Sequence, residues 1–399
     1  MTGERLDPVI VGVGESDAIG AVPDRSSLAL HAEAARAALA DANLEPDQVD
    51  GVLTNESYHD YHVRHAMAFA EYFGIRSSAS MIASLPLGSG ASSGMFVHKA
   101  ADAIRAGRCT TVLAVSADNF LSALRRGGAV QALAENRDKE FEAVYGPILP
   151  ACFALVAQRH MYERGSTVEQ LAAVAVTMRR HARRNRRAHM QAALTVEEVL
   201  ADNTIATPFT RTMCSLVSDG GAAVVVTTRE RAEALGRPYV EILGTAVAYG
   251  TGDDKFTENS LSNVRDLLDI GTARSAPAAM AQAGVTWSDV DVLMAYDCFA
   301  ITPILYLEAA GFCQPGEGGL WFEDGRAALG GTLPVNPHGG MMSYCHPGNP
   351  GGLFMFTHVV AQLRGEAGAV QVPGCQVALV TGYGGQMAFW PCTVLGTGR

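Results

Sequence analysis

The stretch that decides the fold is Val335-Asn336-Pro337-His338-Gly339-Gly340-Met341-Met342-Ser343-Tyr344-Cys345-His346-Pro347-Gly348-Asn349-Pro350-Gly351-Gly352. Its glycines permit close backbone approaches that residues with a side chain resist, which is typical of a loop at a binding site. An apolar pattern of helical period follows from Leu353 to Leu363, then a strand-like run from Val377 to Val380 and a glycine turn at residues 382–385. The sequence therefore predicts a loop, a helix, a buried strand and a turn in succession.

A similar order occurs in the first half of the chain. Residues 88–94 are rich in glycine and serine, a predicted helix continues through Ile104, Gly107 ends it, and a strand begins at Thr111. A second match pairs residues 45–53 with residues 286–293, Glu45-Pro46-Asp47-Gln48-Val49-Asp50-Gly51-Val52-Leu53 against Thr286-Trp287-Ser288-Asp289-Val290-Asp291-Val292-Leu293. Such self-similarity indicates a duplicated α/β unit.

The predicted strands and helices alternate, as expected for a sheet covered on both faces. We predict an N-terminal half at residues 1–235 and a C-terminal half at residues 236–399, packed as one body because no low-complexity linker separates them. Between about residues 119 and 208 the pattern becomes irregular and charged. We interpret that region as an inserted cap on the first half.

Composition narrows the functional classes. The chain has 399 residues and a net charge of -11, which argues against general binding of nucleic acid. Residues 1–7 are polar and lead into an apolar strand, so no secretory signal is visible, and no run of about twenty apolar residues predicts a membrane span. The eight cysteines show no metal-binding spacing. We therefore expect a cytoplasmic protein with free thiols and no metal site.

Several motifs in the right order resemble the thiolase superfamily, and within it the sterol-carrier-protein-type branch. The motifs are Ser218-Asp219-Gly220-Gly221-Ala222-Ala223, then Asp297-Cys298-Phe299 before an apolar helix, and Asn336-Pro337 with Gly339-Gly340 and His346-Pro347. The resemblance covers essentially the whole chain. It implies an α/β thiolase fold, with two duplicated βαβ-type halves in αβαβα layers.

The departures from the thiolase pattern bear on the chemistry. Thiolases use a cysteine nucleophile, an Asn or His after a late strand, the His of a Gly-His-Pro triplet, and a second cysteine near the C-terminal glycine turn. At the nucleophile position this chain has Leu87, which cannot attack a thioester. Gly382 stands at the second cysteine position, unless a one-residue shift puts Thr381 there, and Tyr296 stands at the Asn or His position. Only His346 is retained.

Loss of both cysteines and gain of tyrosines is similar to the steroid side-chain-cleaving aldolases. That resemblance implies a lyase that cleaves a β-hydroxyacyl-CoA by retro-aldol reaction, such as a 17-hydroxy steroid C22-CoA giving a 17-ketosteroid and propionyl-CoA. In this interpretation Tyr344 is the catalytic base and Tyr296 its partner or the proton donor to the enolate carbon. A phenol needs a neighbouring positive charge or strong donors for a base role, because its ordinary pKa is about 10. His346 would donate a hydrogen bond to the enolate oxygen.

Further expectations concern binding and assembly. Asn336, Gly384, Gly385 and Leu87 are predicted to contact the substrate, whose CoA moiety takes the place of any separate cofactor. The basic run Met178-Arg179-Arg180-His181-Ala182-Arg183-Arg184-Asn185-Arg186-Arg187 either holds CoA phosphates or forms a solvated surface. His59, His62 and His65 superficially suggest metal ligation, but steps of three on a helix would not bring the three rings together, so a surface or lid role is expected. The family fold implies a homodimer, and the aldolase subgroup implies a small OB-fold/zinc-ribbon subunit.

Two other functions stay open. A thiolase-type acyltransferase with an unorthodox cysteine such as Cys345 would form an acyl-enzyme and would be inactivated by iodoacetamide. A non-catalytic thiolase fold would bind acyl-CoA or serve as a scaffold.

Overall fold

The structure is a computed structural model. It describes residues 6–57, 62–76, 78–85, 92–124, 143–146, 148–250, 266–385 and 387–398, together with residues 128, 134 and 140.

Eleven strands are present in the described part of the chain, and nine of them form one sheet in the order β3-β2-β4-β7-β1-β8-β11-β10-β9. β5 and β6 form a separate pair. The strands are β1 (Pro8–Glu15), β2 (Gly51–Thr54), β3 (Met81–Ser84), β4 (Thr111–Asp118), β5 (Thr204–Ala206), β6 (Phe209–Thr210), β7 (Gly220–Thr228), β8 (Val240–Tyr249), β9 (Val292–Ala295), β10 (Val377–Thr381) and β11 (Phe389–Thr397).

Helices cover the outer faces of this sheet and also lie between its two halves. They are α1 (Ser27–Ala42), α2 (His65–Phe73), α3 (Ser92–Arg105), α4 (Phe120–Ala123), α5 (Leu149–Arg164), α6 (Val168–Ala182), α7 (Val196–Leu200), α8 (Arg229–Leu235), α9 (Thr272–Ala283), α10 (Ile301–Ala309), α11 (Gly318–Glu323), α12 (Gly340–Ser343) and α13 (Gly351–Leu363). The predicted end of α3 is confirmed, because Gly107 adopts a left-handed conformation with φ of 67°.

The duplication predicted from sequence is visible in the sheet. In the first half β2 and β4 are parallel while β7 runs antiparallel to both β4 and β1. In the second half β9 and β10 are parallel while β11 runs antiparallel to both β10 and β8. The matching segments each begin with a short 3-10 turn, Pro46–Gln48 before β2 and Trp287–Asp289 before β9. The halves join where β1 pairs with β8.

Five layers follow from the packing. α1 covers β1, β4 and β7, and α9 covers β8 and β11. Between the two halves lie α3 and α13, which contact each other and strands from both halves. α13 is therefore apolar nearly all round and buried along most of its length. The predicted αβαβα thiolase architecture is confirmed.

The cap region is more regular than its sequence pattern indicated. It contains two long helices, α5 with 16 residues and α6 with 15, where an irregular segment was expected. The charged residues hid the periodicity of α6, whose buried residues run almost continuously from Gln170 to Ala182 because α7, α11 and α12 pack against it. None of the helices in the described residues combines the length and apolar character that a membrane span requires.

Candidate active site

Three segments meet at the carboxyl ends of β9 and β10, which are parallel neighbours. Tyr296 follows β9, residues 382–385 follow β10, and His346 lies on the loop between α12 and α13. The Tyr296 hydroxyl oxygen is 2.6 Å from Nε2 of His346, and the two rings meet edge to face. The carboxyl ends of parallel strands are a common place for ligand sites in α/β folds. The structure therefore brings together two of the three predicted catalytic residues.

The hydrogen bonds of His346 fix which nitrogen carries the proton. Nδ1 lies 3.0 Å from the carbonyl oxygen of Leu216, which can only accept, so Nδ1 is protonated. Nε2 is then the acceptor, and the Tyr296 hydroxyl donates to it. Burial lowers the pKa of His346 to about 4, which keeps the ring neutral near pH 7. His346 was expected to donate to an enolate oxygen. In this structure its free nitrogen instead accepts from Tyr296.

Asp297 holds this pair of residues in place. Its buried carboxylate accepts from the backbone amides of Met341 (2.7 Å) and Met342 (3.3 Å) at the start of α12, and from the Asn336 amide (2.9 Å). Burial raises the pKa of Asp297 to about 8, and the two backbone donors oppose that rise. Gly340 must lack a side chain, since a Cβ there would lie 2.0 Å from the Asp297 carboxylate. The strand end carrying Tyr296 and the loop carrying His346 are thus tied through one residue.

Asn336 was predicted to bind substrate, and the structure gives it a different task. Its side-chain nitrogen donates to the Ala295 carbonyl and to Asp297, and its side-chain oxygen accepts from the Ala295 amide. Both amide donors are therefore used within the protein, and the side chain is fully buried. Its backbone is left-handed with φ of 50°, which asparagine tolerates better than most residues. We revise Asn336 to a residue that supports the end of β9.

Tyr344 also lies in a different environment from the one expected. Its hydroxyl donates to Glu15 at 2.5 Å, and its ring packs against His338 and Phe354. Burial, and then the negative charge of Glu15, raise the pKa of Tyr344 well above its ordinary value. A base role requires the opposite shift. We therefore revise the assignment of Tyr344 as the base.

The sequence reasoning missed Tyr383. Its ring meets that of Tyr296 edge to face, with centroids 5.6 Å apart, and its hydroxyl is 2.8 Å from Sγ of Cys298. Phe153 and Trp390 pack on its other sides. The only available signal was its position inside the glycine turn after β10. Together these residues form an aromatic wall beside the Tyr296–His346 pair.

Three other residues were predicted to contact the substrate: Gly384, Gly385 and Leu87. The Gly384 amide donates to the Phe389 carbonyl at 2.9 Å, so it is not available as an oxyanion donor. A side chain at Gly384 would also overlap the Phe389 ring. The amide of Gly385 has no acceptor within the described part of the chain and can still serve a ligand. Leu87 lies outside the described residues.

The cysteines near the site are poor nucleophiles. Cys345 is fully buried and its Sγ faces the Asp219 carbonyl at 3.7 Å. Burial raises the pKa of both the Cys345 and Cys298 thiols above their ordinary range. A thiolate, not a thiol, attacks a thioester. The geometry therefore gives no support to an acyl-enzyme on either residue.

The basic run divides into buried and exposed members. Arg179 is buried and donates to Ser343 and to the Ala192 carbonyl. Arg180, Arg183, Arg184 and Arg186 are exposed, and α6 ends at Ala182 within the run. Just after the run, the backbone amides of His189 and Met190 donate to the carbonyls of Tyr344 and Ser343, so the end of the run lies next to the loop that carries His346. No metal-binding cluster of three or more His, Cys, Asp or Glu occurs among the described residues. His62 lies just before α2 and is exposed, in line with a surface or lid role. His65 begins α2 and is buried against His31, so it is not a surface residue. His59 is outside the described residues.

Comparison with known proteins agrees with this geometry. Residues 254–397 match the family described as thiolase C-terminal domain-like. The chain is 34% identical to the 17-hydroxy-3-oxo-4-pregnene-20-carboxyl-CoA lyase of Mycobacterium tuberculosis, over 93% of this chain and 95% of the lyase. It is 32% identical to the acetyl-CoA acetyltransferase of Methanothermobacter thermautotrophicus, over 95% and 96% of the two chains. The solved Ltp2-ChsH2(DUF35) aldolase superimposes with a TM-score of 0.84 at 29% identity, covering 98% of each chain.

Proposed function

We propose that this chain is a carbon–carbon lyase that cleaves a β-hydroxyacyl-CoA by retro-aldol reaction. The chain belongs to the sterol-carrier-protein-type branch of the thiolase superfamily. The observation that carries the proposal is the 2.6 Å hydrogen bond from Tyr296 to His346 at the strand ends. The family relationship makes an acyl-CoA enzyme the starting point, but relatives of comparable identity include both a lyase and an acetyltransferase. The residues at the site must therefore decide between the two reactions.

The Tyr296–His346 pair suits removal of a proton from a hydroxyl group. As the substrate β-hydroxyl gives its proton to the Tyr296 oxygen, Tyr296 passes its own proton to Nε2 of His346. The bond between Cα and Cβ breaks, its electron pair moves onto Cα to form the thioester enolate, and Cβ becomes a carbonyl carbon. The imidazolium then returns a proton through Tyr296 to Cα. The cycle consumes no co-reactant and leaves the enzyme in its starting state.

The low pKa of His346 has a mechanistic consequence. A ring with a pKa of about 4 is a weak base in the resting enzyme. Negative charge that develops on the departing enolate would raise that pKa, because an opposite charge nearby favours the protonated ring. We therefore infer that proton transfer and carbon–carbon cleavage are coupled. The Gly385 amide is our candidate donor to the enolate oxygen, and such a donor contributes about 3 to 4 kcal/mol in comparable sites.

Acyl transfer is less well supported. It requires a nucleophilic thiolate, yet the nucleophile position is leucine and the second cysteine position is glycine. Cys298 and Cys345 are buried thiols with raised pKa values. Similarity to the acetyltransferase is the one observation that favours this second candidate function. A non-catalytic scaffold has no specific observation in its favour, since the site keeps an ordered acid–base pair.

The acyl group that we propose is a 17-hydroxy steroid bearing a C22-CoA side chain, with a 17-ketosteroid and propionyl-CoA as products. One observation supports it: the relative whose name states this substrate class. The exposed arginines of the basic run are proposed to hold CoA phosphates.

We further propose a homodimer and a small OB-fold/zinc-ribbon subunit. β3 forms one end of the described sheet and exposes part of Ile82, which suits pairing with a second copy. The solved aldolase of similar fold is named with a DUF35 component. A cytoplasmic location stays part of the proposal.

Product analysis tests the lyase directly. The protein, with its candidate small subunit, is incubated with 17-hydroxy-3-oxo-pregnene-carboxyl-CoA and separately with a β-ketoacyl-CoA plus free CoA. We expect a 17-ketosteroid and propionyl-CoA from the first mixture in the absence of free CoA. Cleavage of only the second mixture, sensitive to iodoacetamide, would establish the acyltransferase instead. A Cys345→Ser variant separates the two outcomes, because only an acyltransferase that uses this thiol would lose activity.

A further inference from the structure

We propose that Glu15 is a positioning residue, which fixes the turn carrying His346 by binding Tyr344 and ties that turn to the basic run through Arg187. Glu15 is the last residue of β1, far from the catalytic segments in sequence. Its role deepens the proposed lyase function and rests on it for the activity measurements.

The first step concerns the contacts of the Glu15 carboxylate. One oxygen accepts from the Tyr344 hydroxyl at 2.5 Å and lies 3.2 Å from Nε of Arg187. The other oxygen accepts from the Thr357 hydroxyl of α13 at 2.7 Å. Hydrogen bonds to an ionised carboxylate are shorter and stronger than neutral ones. Glu15 therefore connects four parts of the chain: β1, α13, the loop between α12 and α13 that carries His346, and the end of the basic run.

The second step concerns Tyr344 itself. It is 3% exposed, and its ring is held by His338 and Phe354, so its hydroxyl needs an acceptor within the protein. Glu15 is that acceptor. Tyr344 ends the one-turn helix α12 and precedes His346 by two residues. Fixing the Tyr344 side chain thus limits the freedom of the backbone that presents the His346 ring.

The third step concerns the basic run. Arg187 also donates to the Ser16 carbonyl at 2.8 Å. Just beyond it, the amides of His189 and Met190 donate to the carbonyls of Tyr344 and Ser343 at 2.9 and 3.0 Å. The arginine that contacts Glu15 is therefore followed at once by a backbone connection to the same turn. A change at Glu15 is expected to reach both the turn and this connection.

The functional reason is the short Tyr296–His346 distance. Proton transfer requires a heavy-atom separation of about 2.6 to 3.2 Å, and a displacement of about 1 Å costs on the order of 100-fold in rate. His346 is held by its own ring bond to Leu216 and by the turn that precedes it. Arg179, Asp297 and Ser218 also bind this segment through Ser343, the Met341 and Met342 amides and the His346 amide. Glu15 supplies the anchor at the Tyr344 side chain without contacting the reacting atoms.

The test compares Glu15→Gln, Glu15→Ala and Tyr344→Phe with Asp17→Asn, an exposed carboxylate two residues further along the chain. We expect Glu15→Ala to lower kcat by about 10- to 100-fold with KM changed less than about threefold, since the substrate contacts remain. Tyr344→Phe and Glu15→Gln should each lower kcat by about tenfold, and their combination should cost no more than the larger single effect. Asp17→Asn should match the wild type.

A spectroscopic measurement makes the test independent of substrate. In protein labelled with ¹⁵N-histidine, the resting His346 ring is expected to show a protonated Nδ1 and an unprotonated Nε2. In Glu15→Gln these shifts should move toward an average of the two tautomers. If the wild type cleaves no β-hydroxyacyl-CoA, the proposed function fails while this spectrum still tests Glu15. Unchanged ¹⁵N shifts together with wild-type kcat in Glu15→Gln would overturn the positioning role. It would also be overturned if Tyr344→Phe lost all turnover and one limb of the pH profile, because Tyr344 would then be a catalytic acid or base.

Discussion

Replacing Tyr296 by phenylalanine removes one oxygen atom and keeps the ring. That oxygen is the donor in the 2.6 Å bond to Nε2 of His346, so the variant loses the proton path between substrate and imidazole. General acid–base catalysis by a positioned side chain contributes about 10²- to 10⁴-fold. We therefore expect kcat to fall by that factor, equivalent to about 2.7 to 5.4 kcal/mol of activation free energy. KM should change little, because the aromatic surface is retained.

The same change has a cost in stability that must be measured separately. Nε2 of His346 would keep no donor from Tyr296, and leaving a buried acceptor unsatisfied costs about 1 to 3 kcal/mol. Single-turnover assays on folded protein, with thermal unfolding in parallel, separate the two effects. Tyr383→Phe is the matched control, since its ring packs on Tyr296 while its hydroxyl meets Cys298. The reasoning is refuted if Tyr296→Phe keeps more than a tenth of the wild-type kcat while Tyr383→Phe loses it.

Further predictions concern other parts of the molecule. Asp297→Asn places an amide N–H against the backbone donor of Met342 or Met341, so the free energy of unfolding should fall by about 1 to 3 kcal/mol, and an unchanged thermal midpoint would contradict this. Burial lowers the pKa of His31, His181, His346 and His358 to between about 3 and 4, so each ring is neutral in the folded protein. The contribution of these rings to the free energy of unfolding should therefore be fully present above the unfolded pKa of about 6.5 and should decrease as the pH falls toward 4. The loss should be about 1 kcal/mol per ring at pH 5.5, and denaturant titrations across this pH range can check it. Cys345→Ser should keep kcat within about threefold and iodoacetamide should leave turnover intact, since a thiol with a raised pKa is not the nucleophile, whereas rapid inactivation would favour acyl transfer. Replacing Arg180 and Arg183 by alanine should raise KM for the CoA thioester but not for a pantetheine thioester, because only the former carries the phosphates that arginines bind.

The fold could be predicted because its evidence lies in local patterns that repeat. The two segments that begin with 3-10 turns and continue into β2 and β9 share a sequence pattern and occupy equivalent positions in the sheet. The buried strands read as continuous apolar runs, which periodicity detects. The cap helix α6 was missed because buried arginine and histidine side chains interrupt its apolar face. Arg179 and His181 are buried there only because Ser343, Asn336 and Leu329 supply their partners.

The candidate site could be predicted in part. Tyr296 and His346 were predicted to belong to one site because each stands at a position of the family motif, and the structure places them in contact. Tyr344 was placed beside them because it precedes His346 by only two residues, yet its backbone is helical, with φ of -84° and ψ of -72°. Its hydroxyl instead contacts Glu15, and its ring contacts His338 and Phe354. Glu15 had no sequence signal, because its contact with Tyr344 joins residues separated by 329 positions.

The direction of the hydrogen bond between Tyr296 and His346 bears on the choice between acyl transfer and retro-aldol cleavage. A thiolase needs a thiolate, and its histidine must serve the acyl transfer that follows. Here the Leu216 carbonyl fixes the proton on Nδ1 of His346, so Nε2 faces Tyr296 as an acceptor. A phenol that donates to a neutral imidazole cannot form a thioester, but it can pass on the proton of a substrate hydroxyl. The enolate produced by carbon–carbon cleavage is the same kind of species in both reactions. In the proposed lyase, the loss of a nucleophile at position 87 and the presence of Tyr296 at the Asn or His position therefore change how the enolate is reached.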